Sequence, residues 1–111
     1  MAEPDRPDAA LEATARIARD LIRFDTSNYG GGRSNGEAEA ADYVATELRS
    51  LGLEPVTIES QPRRTSVVAR VPGADPERPA LVLHGHLDVV PADAANWSVD
   101  PFAGELSLIH I

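Results

Sequence analysis

The stretch Ala80-Leu81-Val82-Leu83-His84-Gly85-His86-Leu87-Asp88-Val89-Val90-Pro91 decides how the rest of the chain is read. Residues 80–83 are a short apolar run bounded by turn-forming residues, the pattern of a buried strand. Polar side chains follow it at once, and in open α/β sheets ligands gather at the carboxyl ends of strands. Residues two apart face the same way in extended chain, so His86 and Asp88 are expected to address one pocket. Imidazole and carboxylate together suit Zn²⁺. A carboxylate beside a ligating His also takes its second N–H and fixes its tautomer. By itself a His-x-Asp pair is more often a surface or capping pair than a metal site. The longer His-x-His-x-Asp run occurs in more than one class of zinc hydrolase.

Working outward toward the N-terminus, residues 61–64 read as the turn of a hairpin whose strands cover 56–59 and 67–71. Pro55 makes the first of these an edge strand. Residues 37–51 carry an apolar stripe, Ala41, Val44, Leu48 and Leu51, at helical spacing, with Gly52 placed for a left-handed C-terminal cap. Ser34 and Glu37 fit a capping box at the start of that helix. Residues 24–36, with three consecutive glycines, read as a loop. The triple glycine lacks the Lys-Ser/Thr of a phosphate-binding loop. Leu11, Ala15, Ala18, Leu21 and Ile22 predict a first helix over 9–23, capped by Asp8. Residues 1–7 read as a frayed, disordered tail. After residues 80–83, Gly85, Pro91 and Pro101 predict irregular chain. Helices, a hairpin and a buried strand together predict a layered α/β unit.

Composition narrows the function. The 111 residues suffice for one small domain. A net charge of −8 gives no electrostatic reason to bind nucleic acid or anionic membranes. Cysteine is absent, so a transition-metal site must use His and carboxylates. No apolar run approaches transmembrane length. The acidic opening Met1-Ala2-Glu3-Pro4-Asp5 lacks a signal-peptide pattern, so a cytoplasmic location is expected.

Residues 81–91, followed by Trp97-Ser98-Val99-Asp100-Pro101-Phe102, closely resemble the co-catalytic zinc family of aminoacylases, glutamate carboxypeptidases, acetylornithine deacetylases and succinyl-diaminopimelate desuccinylases. Phe24-Asp25-Thr26-Ser27-Asn28 and Gly36-Glu37 resemble that family's opening, so the resemblance runs over about residues 9–105. It implies the N-terminal part, residues 8–105, of a truncated catalytic domain: a partial zinc-peptidase-like three-layer α/β sandwich of two helices, a hairpin and a buried strand. It implies a zinc-dependent metallohydrolase cleaving amide bonds of peptides or N-acyl amino acids. Two Zn²⁺ ions per site are implied, with Co²⁺ or Mn²⁺ as alternatives, and a homodimer for the complete protein. By motif position His86 resembles the ligand to one zinc, and Asp88 the carboxylate that orients its imidazole and serves catalysis. His84 stands where the family accepts many residues and is read as a strand-end histidine. Trp97, Pro101 and Phe102 are expected to pack their loop, and Asn28 and Tyr29 to serve loop structure rather than border the cleft.

The family's bridging Asp, its consecutive Glu pair, a further acid and a distant His match nothing in this sequence. The 111-residue chain alone is therefore expected to be inactive and to bind zinc weakly, since closed zinc sites use three or four protein ligands. The last six residues, Leu106-Ser107-Leu108-Ile109-His110-Ile111, are also what CTG TCT CTT ATA CAC ATC encodes, a string resembling a library-preparation adapter. They are expected to be non-native, with His110 no ligand. Two other readings remain open on the residues: a non-catalytic α/β binding module, and a different zinc hydrolase using His84 together with His86.

Overall fold

In the computed structural model, residues 7–105 are described. The expected frayed tail (apart from Pro7), the non-native tail and His110 lie outside the described residues. Two units are distinguished: one holds the chain up to Asp25 together with that from Ala92 on, the other Thr26–Pro91.

In the first unit, helix α1 spans Pro7–Ile22. Proline suits a first helical turn, where its fixed φ is already helical and its missing N–H is not needed. The helix thus includes Asp8, which was expected to cap it. Of the expected apolar stripe, Leu21 is half-buried, while Ala15, Ala18 and Ile22 are exposed; the Leu11 side chain lies outside the description. The described part of this unit is one helix and residues 92–105, too little apolar surface to cover a whole helix face. Asp20 gathers the polar side: Arg19 donates to it at 3.0 and 3.1 Å, with Arg16 at 3.8 Å and Arg23 at 3.7 Å. Arg23 Nε also donates to the Ala103 carbonyl at 3.0 Å. A short 3₁₀ turn, Ala94–Asn96, starts at Asp93, whose carboxylate accepts the Ala95 N–H. Pro101 and Phe102 are half-buried as expected, but Trp97 is exposed rather than packed.

The second unit opens with a small hairpin where the sequence predicted only loop. Strands β1 (Asn28–Gly30) and β2 (Arg33–Ser34) pair antiparallel. Gly31 and Gly32, both at positive φ, close it with the sign pattern of a type I′ turn, which glycine adopts without steric cost.

Helix α2 spans Ala38–Ser50. The expected capping box does not form. Ser34 Oγ accepts from the Gly36 N–H instead, and the Glu37 carboxylate is drawn away to Arg64. The buried face is Ala40, Ala41 and Ala45, small side chains that let the helix lie close to the hairpin beside it. Val44 and Leu48 are half-buried, and Leu51, expected on the stripe, is exposed because the helix has ended before it. The left-handed cap expected at Gly52 forms, with φ 79°, and takes the form of a Schellman motif: Gly52 N–H donates to Arg49 O at 2.9 Å and Leu53 N–H to Leu48 O at 3.2 Å.

Strands β3 (Val56–Gln61) and β4 (Arg64–Val68) form the predicted antiparallel hairpin. Its turn is tighter than expected, and β4 begins three residues earlier than position 67. Pro62 fixes one φ and Arg63 takes φ 64°, the sign pattern of a type II turn, so pairing resumes at once with Gln61 opposite Arg64. A left-handed arginine costs about 1 kcal/mol. Its partners hold it there: Arg63 O accepts the Glu37 N–H at 2.8 Å, its Nε donates to Asn35 O at 2.9 Å, and its guanidinium pairs with Glu39.

Residues 80–83 do not form the expected buried strand. Leu81, Val82 and Leu83 are 83%, 78% and 85% exposed, and no described strand pairs with them. A central apolar strand needs neighbours on both edges and layers on both faces, and the described residues supply neither. The fold class is therefore mixed α/β, with two α-helices and two small antiparallel sheets among the described residues. Among the described residues no helix is long and apolar enough to cross a membrane.

Candidate functional site

The segment carrying His86 and Asp88 is irregular, yet it is tied down from a distance. Residues 26–28 run alongside residues 87–89, with Ser27 and Val89 forming a parallel bridge. Asn28 N–H donates to Val89 O at 2.8 Å, Val89 N–H to Thr26 O at 3.2 Å, and Thr26 Oγ1 to Leu87 O at 2.7 Å. Thr26 and Ser27 are buried, which suits residues whose backbone groups are satisfied in this way. The sequence placed Phe24-Asp25-Thr26-Ser27-Asn28 in a loop. Its pairing partner lies some sixty residues away, beyond any local pattern.

His86 and Asp88 come together as the two-residue spacing predicts, although not on a strand. Nδ1 of His86 lies 2.9 Å from Asp88 Oδ1 and 2.7 Å from Asp88 O. Both neighbours are acceptors, so Nδ1 must carry the proton and donate. In the neutral imidazole Nε2 then holds the free lone pair. The His86 side chain is 83% exposed and that of Asp88 26%.

Asp88 has two further partners, neither among the residues the sequence singled out as site residues. Asn28 Nδ2 donates to its Oδ2 at 2.8 Å, and Arg64 Nη2 stands 3.7 Å from the same oxygen. Arg64 Nε also donates to Glu37 at 3.1 Å, a carboxylate only 7% exposed. A line of alternating charge therefore runs Glu37, Arg64, Asp88. The hydrogen bond from Asn28, then that from His86, and the nearby charge of Arg64 hold the Asp88 carboxyl below the usual carboxylate range. Glu37, Arg64, Thr65, Gly85, His86 and Asp88 line a cavity of about 320 Å³. His84 is exposed. Among the described residues no three His, Cys, Asp or Glu converge as a metal site. The donor set present fits one ligand of such a site, His86 through Nε2, with a carboxylate behind it.

The chain is 36% identical over 110 residues to succinyl-diaminopimelate desuccinylase of Methylobacterium radiotolerans, an alignment covering 96% of this chain and 25% of that protein. It is 39% identical over 63 residues to human aminoacylase-1, covering 57% of this chain and 15% of the relative. It is 33% identical over 66 residues to acetylornithine deacetylase of Vibrio campbellii, covering 60% of this chain and 17% of the relative. No family model matches the chain. No solved structure matches it. The sequence nonetheless places this chain in the family to which these desuccinylases, aminoacylases and deacetylases belong, and it spans a quarter or less of the length of these relatives.

Proposed function

We propose that this chain is part of a zinc-dependent metallohydrolase that cleaves the amide bond of peptides or N-acyl amino acids, and that His86 is a ligand to one of two zinc ions. The observation that carries the reading is the His86–Asp88 geometry. An imidazole whose Nδ1–H is taken by two oxygens of one residue presents Nε2 outward as a lone-pair donor. That is the arrangement of a carboxylate-backed metal ligand. The names of the relatives supply the reaction class, since each denotes removal of an acyl or succinyl group from an amino acid or related amine.

When bound, zinc supplies Lewis acidity that polarises an amide carbonyl and acidifies water. The chain's own residues prepare for it. Asp88 keeps the imidazole in the Nδ1–H tautomer and fixes the ring's direction. Its negative charge raises the basicity of Nε2. The pairing of residues 26–28 with 87–89 holds the segment in place before any metal arrives, so less ordering entropy is lost on binding. Completion of the zinc-peptidase-like sandwich is part of the same proposal. The exposed Leu81-Val82-Leu83 run supports it, as an apolar segment that no described strand pairs with.

The test is an assay of the protein from the complete reading frame against N-succinyl and N-acetyl amino acids, with and without a chelator. Chelator-sensitive release of free amine is expected. Hydrolysis that survives exhaustive chelation, or none with any N-acyl amino acid or peptide, contradicts the reading.

A further inference from the structure

We infer that Asn28 is a positioning residue for the His86–Asp88 pair, its side-chain amide fixing the carboxylate in the rotation that presents Oδ1 to the imidazole. The inference rests on the reading of His86 and Asp88 proposed above and adds a residue to it.

The orientation of the amide follows from its neighbours. Gly30 N–H donates to Asn28 Oδ1 at 3.0 Å, so that atom must be the carbonyl oxygen. The NH₂ end therefore faces Asp88 Oδ2 at 2.8 Å as a donor. The backbone under this side chain is also fixed, because Asn28 N–H is bonded to Val89 O, the residue after Asp88. Main chain and side chain of Asn28 thus grip neighbouring positions of the same segment. A carboxylate turns easily about its terminal torsion, and a directional bond to one oxygen determines where the other points. Arg64 cannot replace this contact. At 3.7 Å it is outside hydrogen-bond range, and with a third of its side chain exposed its charge is screened.

A purely structural role would be the turn at Gly30, and one substitution separates the two. Asn28→Asp keeps an acceptor for the Gly30 N–H and keeps the side chain's shape, but loses the donor to Asp88. The experiment is ¹⁵N NMR of the His86 ring nitrogens in the 111-residue chain, above the pH range where imidazole titrates. In the unsubstituted chain the Nδ1–H tautomer is expected to dominate. In Asn28→Asp the Nδ1–H to Nε2–H ratio is expected to fall about fivefold, the equilibrium weight of one ordinary hydrogen bond. The double exchange Asn28→Asp with Asp88→Asn reverses donor and acceptor and is expected to restore the ratio. A ratio unchanged in Asn28→Asp overturns the inference while leaving the His86–Asp88 reading intact. Dominance of the Nε2–H tautomer in the unsubstituted chain overturns that reading itself. Should Asn28→Asp lose the Gly30 amide resonance of the folded chain, the double exchange decides: a ratio like the parent's supports the inference, and a shifted one overturns it.

Discussion

Replacing Gly36 by alanine should be among the most damaging single changes in the Thr26–Pro91 unit, and the structure gives the size of the effect. A Cβ at position 36 would lie 2.4 Å from Arg63 Cβ and 2.8 Å from Arg63 O. Neither is the end of a flexible side chain, so the turn of the β3–β4 hairpin must move away from the start of α2. That movement stretches the 2.8 Å bond from Glu37 N–H to Arg63 O, worth about 1 kcal/mol. Overpacking of this kind costs about 1–3 kcal/mol, and φ of 82° adds about 1 kcal/mol for a residue with a side chain. The total is roughly 3–5 kcal/mol, a large part of what a small domain has. Gly31→Ala is the control. It sits at φ 58° with nothing within 4 Å of its added Cβ, so it carries the backbone cost alone. Urea unfolding followed by circular dichroism should separate the two variants by at least about 2 kcal/mol. Equal destabilisation by the two substitutions would refute the close approach of α2 and the hairpin turn.

Asp88→Ala in the protein from the complete reading frame should lower activity or metal affinity by about 10–100-fold through a mis-set imidazole; unchanged turnover and zinc content would remove its orienting role. Titration calorimetry of the 111-residue chain with zinc should show weak binding, because one imidazole with a carboxylate is well short of a three- or four-ligand site; tight stoichiometric zinc would contradict this. Acid should destabilise the chain. The hydrogen bond from Arg63 lowers the Glu39 pKa, and that from Asn28 lowers Asp88. A carboxyl with a depressed folded-state pKa contributes its stabilisation fully above the ordinary carboxylate range and loses it as pH falls through the lowered value. The urea midpoint should therefore drop between neutral pH and pH of about 3, and a midpoint that rises on acidification would reverse the sign of both shifts.

Local signals in the sequence were legible where local physics decides. Gly52 ends α2 as its position foretold, because a Schellman motif needs only the residues within one turn. The hairpin around Pro62-Arg63 was visible in the two flanking β-prone runs, but its tightness was not. That depends on a left-handed Arg63 held by Asn35, Glu37 and Glu39, which are distant in sequence. The capping box failed for a related reason, since Arg64 competes for the Glu37 carboxylate. Apolarity predicts a buried strand at residues 80–83, but apolarity states only what a segment would bury if neighbours were present. At the candidate site, the spacing of His86 and Asp88 sufficed to bring them together. Asn28 and Arg64 are reached through pairing across the chain, and no periodicity marks either. The one available hint was that Asn28 lies in the family-like opening Phe24-Asp25-Thr26-Ser27-Asn28.

The most direct test of the central claim is anomalous X-ray diffraction at the zinc edge from crystals of the protein encoded by the complete reading frame. The account predicts a zinc peak about 2.0–2.1 Å from His86 Nε2, with Asp88 on the Nδ1 side of the ring. Zinc bound elsewhere with His86 unliganded, or bound through Nδ1, would contradict it.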